Sequence, residues 1–324
     1  MRVIRTLCAL SMAVGLILVS ADMNFAAGAK YPTKPIQVTV AFAPGDTDVV
    51  LRPYIEKMPE YLGQPMTIVY KPGAAGALGA TSVVNATPDG HSLLGSTQSA
   101  MVVIPLTQQG VSYTLESFTP ICVVAESYPT LWVQSGARWK NLPELVAEAK
   151  KNPGKINVTS PGTLAIQHLL VEAFAHEAGI KLNHIPAQGG ATQITALLGG
   201  HVDMAVSALN TGLPHVLSGT LRPLGIFSPN RTRALPNYPT LSEQGYRVDT
   251  PMIYGFVAPK DTPKEVVESL STAARKVIEN HKSALVERYD KMGVEIRYLP
   301  PEEYGANMRR QRDFFSKIVK NLTK

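Results

Sequence analysis

A strand–loop–helix phrase occurs twice in this chain, and each copy opens on a Pro-Gly turn. The first reads Ile36-Gln-Val-Thr-Val-Ala-Phe-Ala-Pro44-Gly45-Asp-Thr-Asp, and the second Ile156-Asn-Val-Thr-Ser-Pro161-Gly162-Thr. Each continues through a turn at Gly63 or Gly179 into a short strand (66–70 or 182–186). A Gly-containing loop (72–76 or 187–190) and a helix of small residues follow, then a Gly-His step, Gly90-His91 or Gly200-His201, and a third strand. Two copies at such a spacing are too few and too distant for a solenoid. They predict two α/β lobes of similar build facing each other across a cleft, a geometry suited to holding a guest.

The first thirty residues bear on compartment. Arg2 and Arg5 precede an uncharged apolar stretch, and small residues follow at Ala26, Ala27, Gly28 and Ala29. That order reads as a secretory signal peptide over residues 1–29, cleaved after Ala27 or Ala29. The apolar run falls short of the 18 or so residues a membrane span needs. Cys8 precedes that run and does not suit a lipoprotein anchor. Processing leaves Cys122 as the single cysteine, so the fold is expected to rest on an apolar core without an internal disulfide. The remaining length exceeds one typical domain, which again favours two lobes. Net charge is +6 before processing. Lys and Arg are scattered without the basic, aromatic-interleaved stripe of a nucleic-acid surface, so no nucleic-acid partner is expected.

Strands are predicted at 36–41, 66–70, 121–124, 131–133, 157–159 and 221–227, where β-branched runs end at Gly or Pro. Asn141-Leu-Pro143 starts a helix with Leu142, Leu145, Val146 and Ala149 on one face. Residues 168–178 form another, closed by Gly179 in a left-handed cap. Two more are predicted at 263–278 and 301–322. Alternation of strands and helices predicts mainly parallel sheets. Residues 118–134 read as a crossing from lobe one to lobe two, and residues near 250–259 as a second crossing. Lobe one is therefore assigned 30–125 and 251–324, lobe two 126–250, joined by a two-crossing hinge.

Both Pro-Gly loops sit between the carboxyl end of a strand and the start of a helix, where ligands bind in open α/β sheets. Unpaired helix N–H groups and the positive end of the helix dipole favour an anion there. Thr47, Asp48 and Thr163 are candidate N-caps.

At these residues the chain resembles the Bug family, the solute receptors of the tripartite tricarboxylate transporter system. The likeness spans nearly all of the chain beyond residue 30. Tyr31-Pro-Thr-Lys-Pro-Ile resembles the family's opening, Lys71-Pro-Gly-Ala-Ala-Gly-Ala-Leu-Gly-Ala its glycine-rich loop and helix, and Pro88-Asp-Gly-His-Ser-Leu-Leu its Pro-Asp-Gly-Tyr-Thr-Leu-Leu step. Ser160-Pro-Gly with His168-Leu, Leu197-Leu-Gly-Gly-His-Val-Asp, Leu213-Pro-His, Arg233-Ala-Leu-Pro-Asn-Tyr-Pro-Thr and Ala258-Pro-Lys-Asp-Thr-Pro follow in order. The ordered set carries the resemblance, since no single phrase is diagnostic. It implies a two-lobed α/β receptor of the type II periplasmic-binding-protein kind, which closes on a small organic acid and hands it to membrane permease subunits. The same resemblance implies a periplasmic protein, not an enzyme, needing no cofactor and no metal; it is expected to be a monomer.

Matching motifs carries over Ala43, Pro44, Gly45, Asp46, Thr47 and Asp48 from the first loop. From the second it carries Ser160, Pro161, Gly162, Thr163, Ala165, Gln167 and His168. Gln188 and Gly189 would line the crevice from the loop after the second strand of lobe two. Ser96, Thr97, Gln98 and Ser207 follow third strands. His168 reads first as an anchor for its helix. Tyr70, Tyr128 and Tyr254 could present a polar tip on an apolar body.

Departures from the family pattern bear on the ligand. The first loop is one residue shorter and carries Asp46, an added acid. Leu164, Ala165 and Ile166 stand where small or polar residues are usual; Ala187 and Gln188 replace Tyr and Lys, and Ser207 replaces a frequent Asp. A ligand carboxylate beside Asp46 would be repelled unless a cationic ligand group or water intervened. The expectation is therefore a mono- or dicarboxylate with an apolar, aromatic or amino-bearing body, with citrate-like ligands disfavoured. A ligand-sensing receptor feeding a signalling partner, or a secreted enzyme, are the competing readings. The enzyme reading lacks a Gly-x-Ser-x-Gly elbow. Gly73-Ala-Ala-Gly-Ala-Leu-Gly lacks dinucleotide spacing, and no Cys/His pair has zinc spacing.

Overall fold

A computed structural model describes residues 30–187 and 190–322. The expected signal peptide, and the loop residues Gln188 and Gly189, lie outside the described residues. Among the described residues, eleven strands form two sheets. The first takes β1 (Ile36–Val40), β2 (Met66–Tyr70), β3 (Ser92–Thr97), β4 (Phe118–Ser127), β10 (Met252–Pro259) and β11 (Glu295–Leu299), in the order β11-β4-β10-β3-β1-β2. The second takes β5 (Pro129–Gln134), β6 (Asn157–Ser160), β7 (Asn183–Pro186), β8 (Met204–Ala208) and β9 (Leu221–Ile226), in the order β7-β6-β8-β5-β9.

The two sheets are built alike at the repeated phrase. In the first, β1 lies between β2 and β3, parallel to both. In the second, β6 lies between β7 and β8, parallel to both. The sheets are not mainly parallel, however. Strand β10 runs antiparallel to β3 and β4, β11 antiparallel to β4, and β5 antiparallel to β8 and β9. Alternation along the sequence describes only the repeated units. Strands β5 and β10, which follow the two crossings, enter their sheets from the opposite end and so pair antiparallel, and β11, joined to β10 by a helix, keeps the direction of β10.

The chain passes between sheets at Tyr128, which separates β4 from β5, and again ahead of Met252, where β10 re-enters the first sheet. The last helix, Pro301–Leu322, packs on β4 and also on the helix Ile166–Ala178 of the other sheet. Its Tyr304, Met308 and Phe315 are buried. They join an apolar cluster that also holds Val123, Val133, Leu145 and Phe174, so one core runs through both lobes. Full burial of a side chain like Phe315 contributes about 2–3 kcal/mol.

Local signals account for the helix ends. The Asn141 side chain accepts from the Glu144 N–H at 3.0 Å, with Pro143 in the first turn. Gly179 ends the helix Ile166–Ala178 in the left-handed conformation, as predicted from its sequence. The helix predicted at 263–278 extends over Lys264–Asp290, with a non-helical residue at His281.

Candidate functional site

The loop after β1 is held by its own first-turn acid. Asp48 is buried, and its carboxylate accepts from the Gly45 N–H at 2.7 Å, the Tyr70 hydroxyl at 2.9 Å and the Arg52 guanidinium at 2.9 Å. Burial pushes that carboxyl up, but the three bonds together outweigh it and hold it below the ordinary carboxylate range. Asp48 is therefore a loop brace. The residue at the N-cap of the helix Thr47–Lys57 is Asp46, and its side chain makes no capping bond. The helix Ile166–Ala178 likewise starts from Ala165 with no side-chain cap, so the expected capping by Thr47 and Thr163 does not occur. Ala43, Pro44 and Gly45 are exposed, and Gly45 adopts φ of 142° with open space where a Cβ would stand.

Asp46 reaches across to the other lobe. Its Oδ1 accepts from Asn210 Nδ2 at 2.8 Å and from the Tyr254 hydroxyl at 3.1 Å. Asn210 stands in the first turn of the helix Leu209–Leu217, directly after β8, and Tyr254 lies on β10. Desolvation raises the Asp46 carboxyl; the bonds from Asn210 and Tyr254 oppose the rise and the Asp48 charge adds to it. The loop at the carboxyl end of β1 thus faces the loop at the carboxyl end of β8. Gln167 makes a second contact between lobes, its Nε2 lying 3.2 Å from Met252 Sδ.

The second Pro-Gly loop is built around two histidines. Strand β7 lies in parallel register with β6, Val158 opposite His184 and Ser160 opposite Pro186. His184 Nε2 lies 2.7 Å from Ser160 Oγ, and its ring stacks on His168 at 3.8 Å between centroids. His168 Nδ1 in turn accepts the Leu164 N–H at 2.9 Å, and its Nε2 lies 3.4 Å from Glu172. Burial, then the neighbouring His168, lowers the His184 imidazole to about 4. Leu164 has φ of 58°, a conformation that is costly for a side chain with a Cβ, and the bond to His168 holds it there. Ala74 and Ala75, in the loop after β2, have φ of 47° and 53°. Among the described residues, all four positive-φ non-glycine residues, Asp261 after β10 being the fourth, therefore lie in loops at carboxyl ends of strands. Gly162, at φ of 101°, also has open space beside it.

The remaining expected residues divide by what their side chains already do. Pro161 and Gly162 are half-buried and Thr163 exposed, while Ala165, Gln167 and His168 are buried. Ser207 Oγ accepts from Trp132 Nε1 at 2.9 Å, and Thr97 Oγ1 accepts the Ser99 N–H at 3.3 Å. Gln98 donates to Pro251 O at 2.6 Å and accepts from the Ile253 N–H at 3.0 Å, which fastens the second crossing. Ser96 is fully buried and its hydroxyl has no partner among the described residues. Sequence reading passed over Asn210 and His184. Nothing local marks Asn210, whose partner is on the other lobe; His184 could have been found from the parallel register of the repeat, which puts it beside the Ser-Pro-Gly strand.

A cavity of about 580 Å³ opens elsewhere, between the helix Ile166–Ala178, strand β7 and the last helix, with Glu172, His184, Phe314 and Ile318 among its walls. Neither Pro-Gly loop lines it. No group of three or more His, Cys, Asp or Glu able to hold a metal occurs among the described residues. Cys122 is buried, and burial pushes its thiol far up. None of the helices among the described residues is long and apolar enough to cross a membrane.

Comparison with known proteins falls on the same architecture. A family model described as tripartite tricarboxylate transporter family receptor matches residues 50–322. A Cupriavidus necator protein named UPF0065 protein in gbd 5'region is 33% identical over 281 residues, covering 85% of this chain and 84% of its own. A solved structure described as a periplasmic transporter is 33% identical with a TM-score of 0.83, covering 90% of this chain and 97% of that one. The periplasmic binding protein BugD is 30% identical with a TM-score of 0.79, covering 90% and 98%.

Proposed function

The chain belongs to the tripartite tricarboxylate transporter family of receptors, and from that premise we propose that it captures a small organic carboxylate between its lobes and delivers it to membrane permease subunits. It is a solute-binding receptor with the two-lobed α/β fold, not an enzyme. The reading places the mature protein in the periplasm, with residues 1–29 removed on export.

The observation that carries the proposal is the meeting of the two lobes at strand carboxyl ends, where Asp46 of one loop bonds Asn210 of the facing helix. The N–H groups of Gly45 and Gly162 are engaged by Asp48 and Ser160, but the helix starts at Thr47 and Ile166 have no side-chain cap, so their first-turn N–H groups can serve a ligand carboxylate, with open space beside both glycines. The walls are apolar at Leu164, Ala165 and Ile166. That chemistry favours mono- or dicarboxylates with an apolar, aromatic or amino-bearing body over citrate-like ligands. Closure about the two crossings then presents a joint surface of both lobes to the permease.

Thermal unfolding against a panel of organic acids tests this. A true ligand present at 100 times its Kd adds about 2.7 kcal/mol and raises the midpoint. Citrate as the best ligand would overturn the ligand class; no shift with any carboxylate would overturn the receptor reading itself. Deleting the gene should abolish uptake of the bound acid, whereas loss of induction alone would assign it to sensing.

A further inference from the structure

The junction between the lobes is rich in hydrogen-bond acceptors and poor in cations. Asp46 Oδ1 is already engaged by Asn210 and Tyr254, but Oδ2 has no partner among the described residues, and Asp46 is only part-buried. The other end of the Asn210 amide, Oδ1, is buried and also without a partner. Its nitrogen is fixed on Asp46, so its oxygen is held close to the same carboxylate. The cation of this corner, Arg52, is engaged by Asp48 and Tyr70. The Asp48 charge is the charged neighbour felt at Asp46, and it is of the same sign. Gly45, next in the chain, leaves the space beside it open.

The accessible Asp46 Oδ2, with the buried and unpaired Asn210 Oδ1 behind it and no cation among the described residues bonded to either, defines a place for a ligand group that is positively charged and carries several N–H donors. A carboxylate there would meet like charge in a desolvated setting, which is costly. We propose that Asp46 and Asn210 form an ammonium-reading subsite in the cleft, which selects amino-bearing acids from among the organic carboxylates. This rests on the receptor reading above and gives the two ends of the ligand separate partners. The carboxylate lies toward the uncapped helix starts and the ammonium toward the Asp46–Asn210 pair. Asn210 and Tyr254 keep the Asp46 carboxylate in place before ligand arrives, so little ordering cost is left for binding.

Calorimetry with matched acids tests the subsite: phenylalanine against 3-phenylpropanoate, and glutamate against glutarate, on the wild-type protein and on Asp46→Asn. In at least one pair the aminated acid should bind the wild type tenfold or more tightly, because a polar site penalises an analogue that leaves its groups unpaired. Asp46→Asn keeps the shape and an acceptor but removes the charge, and should bring the pair to near-equal affinity. Asn210→Leu removes the second acceptor with the charge intact and should reduce the preference in part. Unaminated acids binding as tightly as their partners, or a preference that survives Asp46→Asn, would overturn the subsite and leave the receptor reading standing. If neither variant folds, the wild-type pairs alone decide. Should none of these acids nor the wider carboxylate panel bind, the receptor reading falls, and the subsite with it.

Discussion

At the scale of single residues, His184 ties the second Pro-Gly loop to the edge of its sheet, and its ionisation is coupled to folding. Its imidazole is lowered to about 4 by burial and by His168, against an ordinary value near 6.5. Between those limits the unfolded chain binds a proton that the folded chain does not. Stability therefore falls as pH drops from about 6.5 toward 4, and the contribution is fully present only above that window. His184 is half-exposed, so screening reduces the effect to about 1–2 kcal/mol. The ionisable side chains His168 and Glu172 facing it both remain in a His184→Asn variant. Urea midpoints at pH 7 and pH 4.5 should then fall less for His184→Asn than for the wild type. Asp46, raised by burial, titrates in the opposite sense and is common to both proteins, so it cancels from the difference. Equal slopes would show that the ring is solvated in the folded state.

At the scale of elements, the sequence displayed its local units well and their long-range pairing poorly. The repeat was legible because each copy carries its own turn and cap residues, Pro44-Gly45 and Pro161-Gly162 at the loops, Gly63 and Gly179 after the helices. Strands β10 and β5 were harder, since what makes them antiparallel is the direction of re-entry and not any residue within them. Asp46 was visible as an extra acid, but its partners Asn210 and Tyr254 lie 164 and 208 positions away in the chain. Gly255 is another feature with no local mark. It sits at a register shift between β10 and β4, and an added Cβ would lie 2.4 Å from Cys122 O. Backbone on both sides cannot yield as a side-chain end would, so Gly255→Ala should cost more than about 2 kcal/mol. Gly45→Ala meets nothing within 4 Å, and its cost is the φ of 142° alone, about 1–2 kcal/mol. Urea unfolding of the two variants should rank them in that order; the reverse order would mean that β10 adjusts at its bulge.

At the scale of the whole molecule, capture depends on how the two crossings and the last helix hold the lobes in relation. The first crossing turns at Tyr128, whose hydroxyl donates to Glu126 at 3.0 Å. The second is fastened from outside its own segment, because the fully buried Gln98 at the end of β3 bonds Pro251 O and the Ile253 N–H together. Gln98 lies among the third-strand residues first expected to touch ligand, yet both ends of its amide are committed to the hinge. Gln98→Ala leaves a buried carbonyl and a buried N–H unpaired, each costing about 1–3 kcal/mol. Gln98→Glu retains an acceptor for Ile253 but sets a buried carboxylate against the Pro251 carbonyl, and should be at least as destabilised as Gln98→Ala. If the clamp also fixes the angle at which Asp46 meets Asn210, affinity for the best acid of the panel should weaken in the same order as stability. A Gln98→Ala protein that loses stability but binds that acid as the wild type does would separate the two, and would assign closure to the last helix and the Asp46–Asn210 contact instead.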